Sequence, residues 1–108
     1  MNYSVKPISV FEKQAKRLIK KFPSLKRELS ELGQSLLIQP KRGIPLGNDC
    51  YKIKLTIASK QKGKSGGARI ITHIQISESN VFLLTIYDKS ERDDITDKDL
   101  ANLLKLIV

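Results

Sequence analysis

Residues 51–69 read YKIKLTIASKQKGKSGGAR, and this stretch decides both the fold and the candidate site. In residues 51–58, apolar side chains alternate with Lys52, Lys54 and smaller residues, which is the period-two pattern of a strand with one buried face. A glycine-containing loop with three more lysines follows, and Arg69 opens the next run. Six cations without a carboxylate in nineteen residues repel one another, so they require a polyanion or a transferring phosphate nearby. The stretch therefore predicts a functional site on two neighbouring strands.

The segments around this stretch predict further strands. Residues 69–76 alternate again, SESN at 77–80 is typical of a hairpin turn, and VFLLTIY at 81–87 is apolar on both faces, as in a central strand. A weaker strand pattern covers residues 2–7. Residues 40–50 hold two prolines and two glycines and are predicted to form a loop.

Apolar periodicity predicts three helices. Ser9 and Glu12 have the spacing of a capping box, which marks the start of the first helix. A second leucine stripe ends at Pro40, because the residue before a proline disfavours helical dihedral angles. The joint between these two helices is short, so they are expected to form a hairpin. Thr96 is expected to cap the last helix, whose apolar face carries Leu100 and the leucines that follow it.

Charge is unevenly spread along the 108 residues, whose net charge is +9. Residues 41–69 carry eight Lys or Arg and one acid, whereas residues 70–108 carry four cations and seven acids. This asymmetry predicts a basic surface for nucleic acid. The length of 108 residues predicts a single domain that spans residues 1–108. Cys50 is the only cysteine, and the start of the chain lacks the apolar core of a secretory signal, which together predict a cytoplasmic protein. No apolar run is long enough to span a membrane.

One face of the sheet is expected to pack on the helical hairpin. The cations expected on the other face suit RNA cleavage. The ribose 2′-hydroxyl must lose a proton, the leaving 5′-oxygen must gain one, and negative charge on the phosphorane must be stabilised. Clustered Lys and Arg meet the third need directly. Tyr87 can transfer a proton if its pKa is perturbed from about 10. The alternative is a solvated basic face that binds phosphates without catalysis.

Three further side chains near this face have two interpretations each. His73 either assists at the site or is a half-buried structural histidine. Asp88 and Glu91 either orient a lysine or accept a proton, or they pair with Lys89 or Arg92 at the surface.

The features that carry a family resemblance are the order of elements, the YKIKL strand, the Gly-Gly-Ala-Arg start of the next strand and the LLTIYDKSE segment. Through them the chain resembles the RelE/ParE toxin superfamily, above all its RelE- and HigB-like branches. The resemblance implies an α+β fold with a compact, mostly antiparallel sheet and helices on one side. In that fold the N-terminal helical hairpin packs on one face and a short C-terminal helix follows. The resemblance also implies a toxin of a type II toxin–antitoxin system: a metal-independent endoribonuclease, without a cofactor, that cuts mRNA in the ribosomal A site and is silenced by a cognate antitoxin.

The same resemblance implies catalytic positions. Two lysines of the YKIKL strand and an arginine early in the next strand map onto Lys52, Lys54 and Arg69.

The end of the last strand departs from the RelE pattern. Where RelE-like toxins carry a second arginine after a lysine, this chain has Ser90 after Lys89, and the C-terminal catalytic tyrosine would fall near Thr96. HigB-like relatives place an Asp and a Tyr near this point. Tyr87, with Asp88 or Lys89, is therefore expected to complete the catalytic set.

Other cations are expected to bind RNA or the ribosome. They are Arg42 and, in the 59–67 loop, Lys60, Lys62 and Lys64. Two rival functions belong to other classes: a ParE-like inhibitor of DNA gyrase that acts through protein contact, and a catalytically silent module that binds RNA or the ribosome.

Overall fold

The computed structural model describes residues 3–60 and 66–107, which form a five-stranded sheet and three helices. The strands are β1 (Ser4–Pro7), β2 (Ile44–Gly47), β3 (Cys50–Leu55), β4 (Ala68–Gln75) and β5 (Asn80–Asp88), and the helices are α1 (Ser9–Lys21), α2 (Leu25–Ile38) and α3 (Asp97–Leu104). Short 3₁₀ turns cover Ala58–Lys60, Ile76–Glu78 and Lys105–Ile107. The predicted α+β class is confirmed. None of the helices in the described residues has the length and apolar character needed to cross a membrane.

The sheet order is β1-β5-β4-β3-β2, and every neighbouring pair is antiparallel except β1 with β5. The predicted mostly antiparallel sheet is therefore confirmed. Pairing of β4 with β5 shifts by one residue at Leu84. Gln14 of α1 lies against β5 next to this register shift. Its Oε1 accepts hydrogen bonds from Thr85 Oγ1 at 2.8 Å and from the Ile86 N–H at 3.0 Å. These bonds fix α1 against β5.

Both faces of the sheet are covered by helices. α1 and α2 form the predicted hairpin over one face, where Leu18 and Leu36 pack in a core with Ile70. Ile71, the next residue of β4, points to the opposite face, and there it packs in a second cluster with Leu100 of α3. The expectation of helices on one side alone is therefore wrong. The apolar stripe of α3 needs burial, and the second sheet face offers it apolar side chains.

β2 lies in the segment predicted to be a loop. Pro45 is compatible with this strand because β2 is at the edge of the sheet, where an outward-facing N–H is not needed. β2 has only four residues, and its pairing with β3 shifts between Pro45 and Gly47. Proline and glycine content alone does not exclude a short edge strand.

The ends of the helices are partly as predicted. α2 ends at Ile38, just before Gln39 and Pro40, and Thr96 caps α3 by accepting a hydrogen bond from the Asp99 N–H at 3.0 Å. The capping box at Ser9 does not form. Ile8 is the N-cap of α1, because its N–H still donates to Leu83 of β5 at 3.1 Å and holds the chain extended up to that residue.

Candidate functional site

A row of three polar side chains crosses the three central strands near one end of the sheet. Lys54 of β3 is directly opposite Arg69 of β4, and Arg69 is directly opposite Tyr87 of β5. Directly opposite residues of antiparallel strands present their side chains on the same face, so these three lie side by side. Lys52, two residues before Lys54, shares the face. The fold thus brings together four of the five residues predicted to be catalytic, and we call Lys54, Arg69 and Tyr87 the cross-strand row.

The cross-strand row passes from buried to open. Arg69 and Tyr87 are each 6% exposed, whereas Lys54 is exposed at the side of the sheet nearer β2. Arg69 Nη1 donates to the Ala68 carbonyl oxygen at 3.2 Å, which ties the guanidinium to its own strand. A guanidinium held in this way is oriented before any ligand arrives, and such preorganisation is what electrostatic catalysis requires.

Asp94 joins the row from the segment between β5 and α3. Its Oδ1 lies 3.3 Å from Lys52 Nζ and 3.5 Å from the Tyr87 hydroxyl. The backbone N–H of Ile95 and the Lys52 ammonium hold the pKa of the Asp94 carboxyl below its usual range. Burial and the Asp94 charge raise the pKa of Tyr87, while nearby arginines oppose the shift. Tyr87 is therefore a protonated phenol at neutral pH, and Asp94 is a carboxylate.

Arg92 supplies a second guanidinium beside Tyr87. Its guanidinium lies 5.6 Å from the centre of the Tyr87 ring, and its Nε donates to the Asp94 carbonyl at 3.1 Å. Its Nη2 also pairs with Asp99 in the first turn of α3. No role at the site was predicted for Arg92 or Asp94 from the sequence. The one available signal was Ser90, which occupies the position of the missing arginine two residues before Arg92.

Lys89, the fifth predicted catalytic residue, pairs within its own turn. Its ammonium lies 2.5 Å from Asp93 Oδ1 and 2.7 Å from the Asp93 carbonyl oxygen. The Lys89 ammonium therefore pairs with the acidic segment that follows β5.

Lys60 is directed into the protein. Its side chain is 6% exposed and forms an ion pair with Asp88, which is fully buried. The expectation that Lys60 contacts RNA does not fit this position, because its ammonium already neutralises an internal carboxylate. Burial alone raises the pKa of Asp88, but hydrogen bonds from Lys60 and Ser90 outweigh it and hold that pKa below its usual range.

The other accessory residues also have identifiable contacts. Glu91 accepts from Arg17 at 2.7 Å and from Lys21 at 3.4 Å, so it ties the turn after β5 to α1. Asp88 and Glu91 thus pair with Lys60 and with α1 rather than with Lys89 or Arg92, since the turn directs both carboxylates back toward the body of the fold.

His73 is half-buried and remote from the cross-strand row. It lies four residues along β4 from Arg69, roughly 13 Å away at the usual rise of a strand. Its Nδ1 is 3.5 Å from Sγ of Cys50, its cross-strand partner. Burial and Asp49 raise the pKa of the Cys50 thiol to about 11. This hydrogen-bonded pair lies at the margin of the second cluster, which includes Cys50.

Arg42 extends the cationic surface beyond β3. It is exposed, donates to Ser35 Oγ at 2.8 Å, and lines with Lys54 a groove of about 650 Å³ between α2 and β3. Lys62 and Lys64 lie outside the described residues. Within the described ranges, no group of three or more His, Cys, Asp or Glu side chains is arranged to hold a metal ion.

Two comparisons with known proteins agree with this fold. A family model described as the RelE toxin of the RelE/RelB toxin–antitoxin system matches residues 10–107. The structure of a double-arginine mutant of the E. coli toxin RelE in the free state is similar over 100% of both chains, with 19% identity and a TM-score of 0.66. The same mutant in complex with an antitoxin RelBc peptide matches over 94% of both chains, with 20% identity and a TM-score of 0.51. The structural likeness is one of fold, and the family match confirms the resemblance seen in the sequence.

Proposed function

The chain belongs to the RelE toxin family, and from this premise we propose that it is an endoribonuclease that arrests translation by cutting mRNA on the ribosome. The observation that carries the proposal is the cross-strand row, with Lys52 and Arg92 at its sides. A surface that only binds RNA needs exposed cations. Here a buried guanidinium, Arg69, stands beside a buried and protonated phenol, Tyr87, and this arrangement suits a reaction in which charge and a proton move together.

The reaction that fits these groups is transfer of the phosphate within RNA. The ribose 2′-oxygen gives its proton to solvent water and bonds to the phosphorus. The bond from phosphorus to the 5′-oxygen breaks, and that oxygen takes a proton from the protein. The products are a 2′,3′-cyclic phosphate and a 5′-hydroxyl end. Arg69 and Lys54 stabilise the charge on the phosphorane oxygens, because both are cations on one face of neighbouring strands. Tyr87 protonates the leaving oxygen, because its raised pKa keeps the phenol protonated at neutral pH.

Cations around the site supply affinity for the polyanion. Arg42 borders the groove next to Lys54, and Lys62 and Lys64 lie in the loop between β3 and β4. Their charges favour phosphate contacts with mRNA and ribosomal RNA in the cytoplasm. A cognate antitoxin of the RelB type is the partner expected to silence the toxin.

A cell-free translation reaction tests this function. Purified protein is added to the reaction and, separately, to the same mRNA without ribosomes, and new 5′ ends are mapped by primer extension. We expect cuts within the translated reading frame, absent when Arg69→Ala is added instead. The cyclic phosphate at the 3′ end of the upstream fragment identifies the chemistry.

Other outcomes distinguish the rival functions. Cuts that also appear in the mRNA without ribosomes mean that cleavage does not depend on the ribosome. Intact transcripts with translation arrested by wild type and Arg69→Ala alike indicate a silent ribosome-binding module. Intact transcripts with breaks accumulating in DNA at gyrase sites indicate a gyrase inhibitor.

A further inference from the structure

Asp88 is the hub of the turn that follows β5. Its Oδ1 accepts the Ser90 N–H at 3.0 Å and the Ser90 hydroxyl at 2.8 Å. Its backbone carbonyl accepts the N–H groups of Glu91 at 2.9 Å and Arg92 at 3.0 Å. The direction in which the chain leaves the sheet, and with it the placement of Arg92 over Tyr87, therefore depends on Asp88.

A charge at this hub is stable only with a partner. Asp88 is fully buried, and its Oδ2 has no hydrogen-bond partner within the described chain. The Lys60 ammonium pairs with Oδ1, reaches Ser90 Oγ at 2.9 Å, and lies 5.6 Å from the centre of the Phe22 ring. Since a buried carboxylate without a counter-ion is strongly disfavoured, Lys60 is what allows Asp88 to stay charged inside the protein.

The hub also adjoins the cross-strand row through the backbone. Asp88 follows Tyr87 on β5 and is the cross-strand partner of Ala68, which precedes Arg69 on β4. The next backbone bond, from the Lys89 N–H to the Gly67 carbonyl at 3.0 Å, closes this end of the sheet. A shift of Asp88 would thus reach Tyr87 directly and Arg69 through its neighbour.

We propose that Lys60 is a positioning residue for cleavage: it holds Asp88 in place by a buried ion pair, and Asp88 sets the turn that aligns Arg92 and Tyr87. This role depends on the cleavage activity proposed above. It differs from RNA binding, which needs an accessible ammonium, and from proton transfer, which needs contact with the reacting atoms. Misplacement of catalytic groups by about 1 Å lowers the rate, even when the mutation is remote from the chemistry. Affinity should change little, because the cations exposed to RNA stay in place.

A suppressor experiment tests the role of Lys60. Three full-length variants are compared with wild type: Lys60→Met, the double variant Lys60→Met/Asp88→Asn, and the control Lys13→Met, which changes an exposed lysine of α1. Single-turnover cleavage is measured at saturating protein on ribosomes programmed with mRNA, and binding to those ribosomes is titrated at several salt concentrations. Nuclear Overhauser effects between the Arg92 side chain and the Tyr87 ring report the turn itself.

We expect Lys60→Met to lower the saturated cleavage rate by about tenfold or more, to change the dissociation constant by less than about twofold, and to abolish the proximity of Arg92 to Tyr87. The double variant has no buried charge left to neutralise, and the introduced asparagine retains an oxygen that can accept from Ser90. It should therefore bring Arg92 back over Tyr87 and come within about threefold of the wild-type rate. Lys13→Met should match wild type.

Three results would overturn the proposal. The first is a folded Lys60→Met that cleaves at the wild-type rate. The second is weaker binding with a shallower salt dependence that the double variant does not repair, which makes Lys60 an RNA contact. The third applies if Lys60→Met does not fold: the double variant then decides alone, and a folded but inactive double variant excludes the role. A wild type that never cleaves overturns the proposed function, whereas the proximity of Arg92 to Tyr87 in these variants still shows whether Lys60 positions the turn.

Discussion

Arg69 stands at the centre of the cross-strand row, between Lys54 and Tyr87. We predict that Arg69→Ala lowers single-turnover cleavage far more than ribosome binding, because a guanidinium fork grips two phosphate oxygens as charge builds on them. The loss should correspond to about 2–4 kcal/mol of transition-state stabilisation. Arg69→Lys, which keeps the charge without the fork, should recover only part of the rate. If Arg69→Ala binds tenfold worse yet cleaves normally once bound, Arg69 positions the substrate and takes no part in the chemistry.

Asp94 and Tyr87 give a prediction about pH. The Asp94 charge raises the pKa of Tyr87, so Asp94→Asn should lower it. Removal of the Asp94 carboxylate from beside Lys52 should tighten RNA binding and steepen its salt dependence.

A general acid works only while protonated, and the basic limb of the pH–rate profile should therefore move to lower pH in Asp94→Asn. Tyr87→Phe serves as the control, since it should abolish the limb altogether. A basic limb that stays in place in Asp94→Asn, or that persists in Tyr87→Phe, would exclude Tyr87 as the acid.

The elements of the fold differ in how far the sequence alone could predict them. Period-two alternation predicted β3 and β4, and a run that is apolar on both faces predicted β5. The alternation also placed Lys52, Lys54 and Arg69 on one face, because β3 and β4 are neighbours in the sheet. β2 was missed because edge strands tolerate proline. Arg92 and Asp94 were missed for a different reason: they reach Tyr87 through the path of a turn, and that path depends on buried partners far away in sequence.

Two glycines provide a matched test of how the elements pack. A Cβ added at Gly67, just before β4, would lie 2.1 Å from the carbonyl oxygen of Leu55 on β3. Gly67→Ala should therefore force the two strands apart and cost about 1–3 kcal/mol of unfolding free energy. Gly33→Ala, inside α2 with nothing within 4 Å, should instead stabilise by about 0.5–1 kcal/mol. Urea unfolding of both variants measures the difference, and equal effects would contradict this packing.

The loop between β3 and β4 should contribute affinity rather than chemistry. With Lys60 committed to Asp88, the prediction concerns Lys62 and Lys64. Replacing both by Ala should weaken ribosome binding and flatten its salt dependence, by a slope of roughly 0.7–0.9 for each phosphate that is no longer bound, while the rate at saturation stays the same. The salt titration is the measurement. An unchanged slope removes these two lysines from the binding surface.

Across the whole molecule, most of the acids in residues 88–99 act as counter-ions to cations of the same chain. Each acid in residues 88–94 pairs with a cation: Asp88 with Lys60, Glu91 with Arg17 and Lys21, Asp93 with Lys89, and Asp94 with Lys52. Asp99 of α3 pairs with Arg92, which lies over Tyr87. The position of α3 is thus linked to the site by this ion pair and by Leu100, which packs in the same cluster as Tyr87. A partner that moves α3 disturbs the site without touching it.

This linkage leads to a prediction about control by an antitoxin. A segment that is acidic or amphipathic should neutralise the toxin by covering the cationic face or by displacing α3, a short helix with one buried residue, Leu100. Short helices held by so few buried residues open at low free-energy cost. Expressed alone, the protein should arrest growth; expressed with the neighbouring reading frame, it should co-purify as a tight and inactive complex. Hydrogen exchange on that complex should show changed protection at residues 95–108, at 51–69, or at both. Protection altered only on α1 and α2 would contradict both modes of silencing, and harmless overexpression of the free, folded protein would exclude the toxin function itself.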